Sequence, residues 1–150
     1  MWAIKAMCIK LSLAEKTKII QYLQMNYLPE NSEYRYDFLY NNFSSKIIDV
    51  INFGTSNLVA YNPMVVPHKS FRQLLEPYLH SRHWTHMGID FLMGIPADKI
   101  TEGTEAAFLP DYLHLLVKNA KIGEIDGSNR ELTLSDKIYY HAVQNKSKPS

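Results

Sequence analysis

Apolar and polar positions alternate over residues 2–11 with the period of a strand: Trp2, Ile4, Ala6 and Cys8 share one face, and Lys5, Met7 and Ile9 the other. Ser12-Leu13-Ala14-Glu15 then fits a capping box, so a helix is expected from here to about Asn26. Its apolar positions Leu13, Ile20, Leu23 and Tyr27 recur at helical spacings and predict one face packed on the strand. Pro29 to Ser32 reads as a turn, and Tyr34 to Tyr40 as a short aromatic extended or irregular segment. Asn41 or Asn42 can cap a second helix, with Phe43, Ile47, Val50 and Ile51 on one side and Gly54 at its stop.

Residues 55–68, with Asn62, Pro63 and Pro67, read as a loop that has room for a short extended piece. Helices are expected over about 69–79 and 82–94, and a further helical stretch over 104–119 that Pro110 breaks or kinks. Ala120 to Ile125 and Arg130 to Leu134 flank the turn tetrad Asp126-Gly127-Ser128-Asn129 as a hairpin, and residues 146–150 are expected to fray. The pattern is that of an α+β chain: helix-rich, with an N-terminal strand and a C-terminal hairpin, and one domain over 1–145.

Composition adds exclusions. The chain has 150 residues, 46% hydrophobic and 21% charged, a size that buries roughly two-thirds of its unfolded surface in one core. Sixteen Lys+Arg against fifteen Asp+Glu leave a formal charge of +1, scattered along the chain, which gives no electrostatic case for nucleic acid. The single cysteine, Cys8, rules out an internal disulfide and any multi-cysteine zinc site, and its place in a strand predicts a buried, inert thiol. Lys5 and Lys10 interrupt the apolar N-terminus as a secretory signal would not, so the chain as written is expected to stay in the cytoplasm. No stretch reaches the length of a membrane span.

Candidate chemistry is densest at residues 80–90, where His83, His86 and Asp90 fall within about 60° of one another on a helical wheel. Two His and a carboxylate would suit a facial-triad iron or a catalytic zinc, which makes a metal-dependent hydrolase one reading. The same wheel places Trp84, Met87 and Phe91 on the adjoining stripe, so the His face is the natural solvent side of an amphipathic helix. His68, His114 and His141 are isolated. There is no glycine-rich phosphate loop and no nucleophile elbow, and no cofactor is called for.

The run Tyr34-Arg35-Tyr36-Asp37-Phe38-Leu39-Tyr40-Asn41-Asn42-Phe43 leads into a helix. Three further blocks follow it: Phe71-Arg72-Gln73-Leu74-Leu75, Gly88 to Asp98, and Phe108-Leu109-Pro110-Asp111-Tyr112-Leu113. In this order, over about residues 2–134, they resemble a bacterial family named for the N-terminal periplasmic domain of lipoprotein N-acylation transacylase B. The resemblance implies a permuted papain-like cysteine enzyme, periplasmic or membrane-associated, whose cysteine opens a helix. A thiolate there would attack an acyl carbonyl and carry the acyl group as a thioester.

At the position of that cysteine this chain has Phe43, between Asn42 and Ser44. The family's histidine lies upstream of the strand that opens this sequence. The resemblance therefore implies the C-terminal part of such a domain, truncated and catalytically inactive, and Ser44 and Ser45 are hydroxyls without an identifiable base. The alternative is an interaction or self-associating module. Such a module would use an apolar sheet edge at Trp2, Ile4 and Met7, or would receive a missing N-terminal half.

Overall fold

The computed structural model describes residues 3–33, 35–56, 58–79, 94–124 and 127–141. They form an α+β arrangement. Strand β1 (Ala3–Ile9) is followed by α1 (Leu13–Tyr27), the one-turn α2 (Pro29–Ser32) and α3 (Phe43–Gly54). Then come β2 (Val59–Ala60), α4 (Phe71–Leu79), α5 (Pro110–Lys118), β3 (Lys121–Gly123), β4 (Asn129–Glu131) and β5 (Thr133–His141). Pro110 breaks the 104–119 stretch as expected: a 3-10 turn at Glu105–Phe108 precedes it, and it then serves as the first residue of α5. The helix expected over 82–94 and the tail at 146–150 lie outside the described residues.

Among the described residues the strands form two antiparallel sheets, β1 with β5 and β2-β3-β4. The β3–β4 hairpin is the expected one, its turn closed by Gly127 at φ +82°. Strand β5 is an addition. Where one strand was expected to run to Leu134, β4 stops at Glu131 and a second strand starts at Thr133. Leu132 lies between them, fully buried, its amide donating to Ala120 O at 3.0 Å and its carbonyl accepting from Lys10 N at 2.7 Å. One residue thereby ties both sheets together, and the chain after it turns to pair with β1, Met7 opposite Asp136 and Cys8 opposite Ser135.

The core has two parts. Ile48 and Ile51 of α3 pack with Leu113, Leu116 and Val117 of α5 and with Ile122 and Leu132, and Met7 and Ile9 of β1 lean on this cluster. The second part gathers Leu39, Phe71, Leu74, Leu75, Ala97 and Phe108. Its rings meet edge-on, Phe71 to Phe108 at 5.1 Å and Tyr40 to Phe71 at 5.2 Å. The 3-10 turn joins the parts, with Ala107 in the first and Ala106 and Phe108 in the second.

Helix α1 starts on the expected capping box: Glu15 N donates to Ser12 Oγ and Ser12 N to Glu15 Oε2 at 2.6 Å. Its buried face is not the expected one. Leu13, Ile20, Leu23 and Tyr27 are all exposed, and no α1 residue is fully buried. The helix docks on α3 rather than on the strand, through Ile19 and Tyr22. A Cβ on Gly54 would lie 2.3 Å from Ile19 Cγ1, and Tyr22 stacks on Phe53 at 4.6 Å. Gly54 matters here for closeness of approach rather than for ending α3, and that closeness selects which stripe of α1 faces inward. Helix α3 divides its apolar side likewise: Ile48 and Ile51 are buried, whereas Phe43 and Ile47 of the expected stripe are exposed.

Arg130 of β4 fastens α1 from its N-terminal end. Its Nη2 lies 2.6 Å from Glu15 Oε1, its Nε lies 3.0 Å from Glu124, and its Nη1 donates to Lys10 O. Burial by itself would raise the Glu15 carboxyl, but the Ser12 hydrogen bonds and the Arg130 charge outweigh it and hold the group below its ordinary value. A carboxylate depressed in the folded state stabilises above its unfolded pKa, about 4.3, and that contribution is lost as pH falls through the folded value.

Two outcomes follow, both read by urea denaturation. Glu15→Gln lowers stability at pH 7 by about 1–3 kcal/mol and flattens the loss of stability below pH of about 4. Gly54→Ala overpacks the α1–α3 contact and costs about 1–3 kcal/mol, part of which Ile19→Ala in the same chain restores.

Candidate functional site

Of the two readings of the block before α3, extended or irregular, the structure has the irregular one, a tight turn over Asp37 to Asn41. Asp37 Oδ1 accepts from the amides of Leu39 and Tyr40 at 2.9 and 3.0 Å, and Asp37 and Asn41 exchange backbone hydrogen bonds of 3.2 and 2.9 Å. The turn delivers Asn42, buried, to the N-cap of α3. Asn42 Oδ1 accepts from Ser45 N at 2.9 Å, Asn42 N donates to Ser45 Oγ at 3.0 Å, and Nδ2 donates to Phe38 O and Phe108 O at 2.8 and 2.9 Å. Both expected cap candidates take part, Asn42 as the cap and Asn41 in the turn.

Phe43 is the first residue of α3, and 78% of its surface is exposed. It borders a groove of about 990 Å³. Walls come from α1 (Ile19, Tyr22, Leu23), α3 (Phe43, Lys46, Ile47, Val50, Ile51), α5 (Pro110, Leu113, His114, Val117) and the strand segment Met7, Ile9 and Leu11, with Asn26 and Asn31 at the end of α1 and in α2. Met7, one of the residues expected at an apolar sheet edge or face, is half-buried against the core and part of this wall, in a strand that among the described residues pairs with β5 alone. The side chains of Trp2 and Ile4 lie outside the described ones.

Of the hydroxyls beside Phe43, Ser45 is committed to the cap, donating to Asn42 O at 2.9 Å, and Ser44 is buried. Cys8 is exposed, contrary to the expectation of a buried thiol, because Met7 and Ile9 take the core side of β1 and strand parity turns Cys8 away. It is not among the groove residues. His83, His86 and Asp90 lie outside the described residues. Among the described residues no three His, Cys, Asp or Glu cluster as a metal site, and no helix is long and apolar enough to cross a membrane.

Sequence reasoning missed His114, which lines the groove with its Nε2 3.0 Å from Asp136 Oδ1. Lys118 Nζ reaches the other carboxylate oxygen at 3.0 Å, and these two hydrogen bonds, that of Lys118 first, hold the Asp136 carboxyl below its ordinary value. The pair depends on β5, and the one signal for that strand was the β-favouring Ile138-Tyr139-Tyr140.

No known family model, no curated protein and no solved structure matches the chain.

Two adjacent residues separate structure from groove. Asn42→Ala removes the cap and leaves Phe108 O without its donor, and lowers stability by about 2–3 kcal/mol in chemical denaturation. Phe43→Ala changes stability by no more than about 0.5 kcal/mol in the same measurement, as an exposed side chain should.

Proposed function

We propose that this chain is a catalytically silent relative of the transacylase-like cysteine enzymes and acts by binding an apolar chain in its groove. The observation that carries the reading is Phe43. It directly follows the capping Asn42, opens α3 and borders the groove, at the position where the resemblance places the nucleophile. A benzyl side chain has no lone pair to attack a carbonyl and no proton to give up, so no thioester can form there. Neither neighbouring serine substitutes for it: the Ser45 hydroxyl is held by the cap, and Ser44 is buried. What remains of such a site is its apolar surface, and each buried methylene of a ligand contributes about 0.8 kcal/mol.

The test is incubation of the Cys8→Ser chain, which lacks the exposed thiol that would exchange with a thioester unaided, with a diacylated lipopeptide and with a long-chain thioester, followed by intact-mass measurement, alongside titration with an environment-sensitive apolar fluorophore. The expected result is an unchanged protein mass, no acylated amine product, and saturable fluorophore binding that Val50→Trp weakens at least fivefold. A mass increase equal to one acyl group, or transfer of acyl to an amine, overturns the reading.

A further inference from the structure

Helix α1 keeps an exposed apolar stripe. Leu13, Ile20 and Tyr27 follow one another at intervals of seven and Leu23 lies three beyond Ile20, so the four fall within about 80° of one another on the helix. They are exposed by 82%, 55%, 88% and 51%, and Leu28 at the end of the helix by 44%. One charge interrupts the stripe, that of Lys16, and Thr17 and Gln24 beside it are uncharged. Behind this face the helix is fixed to the body of the fold by Ile19 against Gly54 and by Glu15 on Arg130. Spacings of three, four and seven are those of the seam between two coiled helices.

We infer that this stripe is the interface of a homodimer, in which α1 packs antiparallel on α1 of a second copy. Area decides whether it suffices: at about 200 Å² for a large apolar residue fully exposed, the five residues offer about 600 Å² a copy. Two copies together cover about 1,200 Å², the lower end of stable specific interfaces, which sets a dimer of micromolar affinity. The antiparallel register that places Ile20 against Leu23 of the partner subunit also sets Lys16 against the partner's Tyr27, so the one cation in the seam meets an aromatic face. A parallel pair would oppose Lys16 to itself. Charge also sets aside a lipid surface as the occupant. Besides Lys16 the helix has only Lys18, which donates to Ser56 Oγ at 2.7 Å, whereas a helix lying on anionic lipid needs a strongly basic flank. Of the four stripe residues only Leu23 also lines the groove, so the inference stands apart from the ligand reading.

The experiment is analytical ultracentrifugation of the full chain under reducing conditions, so that the exposed Cys8 forms no bridge between copies. A reversible monomer–dimer equilibrium is expected. Ile20→Glu raises its Kd at least tenfold and Lys16→Leu lowers it at least threefold, while Met64→Glu, at another exposed apolar site, leaves it within twofold. Circular dichroism reports that each variant is folded. Register is read separately in the Cys8→Ser background, where an oxidised mixture of Thr17→Cys and Gln24→Cys chains is expected to yield the mixed disulfide at least fivefold over either symmetric one. A monomer at every concentration up to about 1 mM overturns the inference, whether or not the chain sediments with phosphatidylcholine–phosphatidylglycerol vesicles, and so does a dimer that Ile20→Glu leaves intact. Predominance of the symmetric disulfides overturns the antiparallel pairing.

Discussion

The side chain of Asn42 holds this molecule's site together. One amide group satisfies an open backbone N–H of α3 and two carbonyls, one from the turn that precedes the helix and one from Phe108, sixty-six positions along the chain. Phe108 sits in the 3-10 turn whose alanines belong to both halves of the core. The cap therefore fixes the start of α3, the approach of the aromatic turn and the junction of the two clusters at once. Buried amides bonded on both sides in this way are costly to disturb, because each lost partner leaves a desolvated polar group behind. With Asn42 fixed, the next residue has one place to go, and Phe43 emerges at the edge of the groove.

The groove itself comes from how the helices divide their apolar faces. Helix α3 buries Ile48 and Ile51 against α5 and turns Phe43, Ile47 and Val50 toward the space between α1 and α5. Gly54 lets α1 come close at the far end of α3 through Ile19 and Tyr22, while Arg130 holds the start of α1 beside β4. The space between α1 and α5 stays partly unfilled as a result. Strand β1 closes its floor with Met7 and Ile9, which Thr133 and the pairing with β5 keep in register.

Local signals in the sequence carried much of this. The capping box at Ser12 and Glu15, the Asn42 cap, the break at Pro110 and the turn at Gly127 each depend on residues within a few positions of one another, and each forms where expected. What was not legible depends on distant partners. The spacing of α1 allows two apolar stripes, and only the contact of Ile19 with Gly54 decides between them. Strand β5 lacks a clean alternation and exists because β1 lies beside it; with it came the His114–Asp136 pair, while the outward turn of Cys8 follows from Met7 and Ile9 packing on the core. Phe43 was legible as the residue opening α3, whereas the groove it borders needed five separate chain segments in place.

The account's central claim is that this groove, and not another apolar surface of the chain, is where a ligand binds. Backbone and methyl NMR shifts recorded during titration with dodecanoate test it most directly. Saturable shifts confined to Ile47, Val50, Ile51, Leu113 and Val117, with Leu74, Leu75 and Ala97 of the second cluster unmoved, are the result the account predicts. Shifts centred on the exposed outer face of α1 at Leu13 and Ile20, or spread evenly over both clusters, would contradict it.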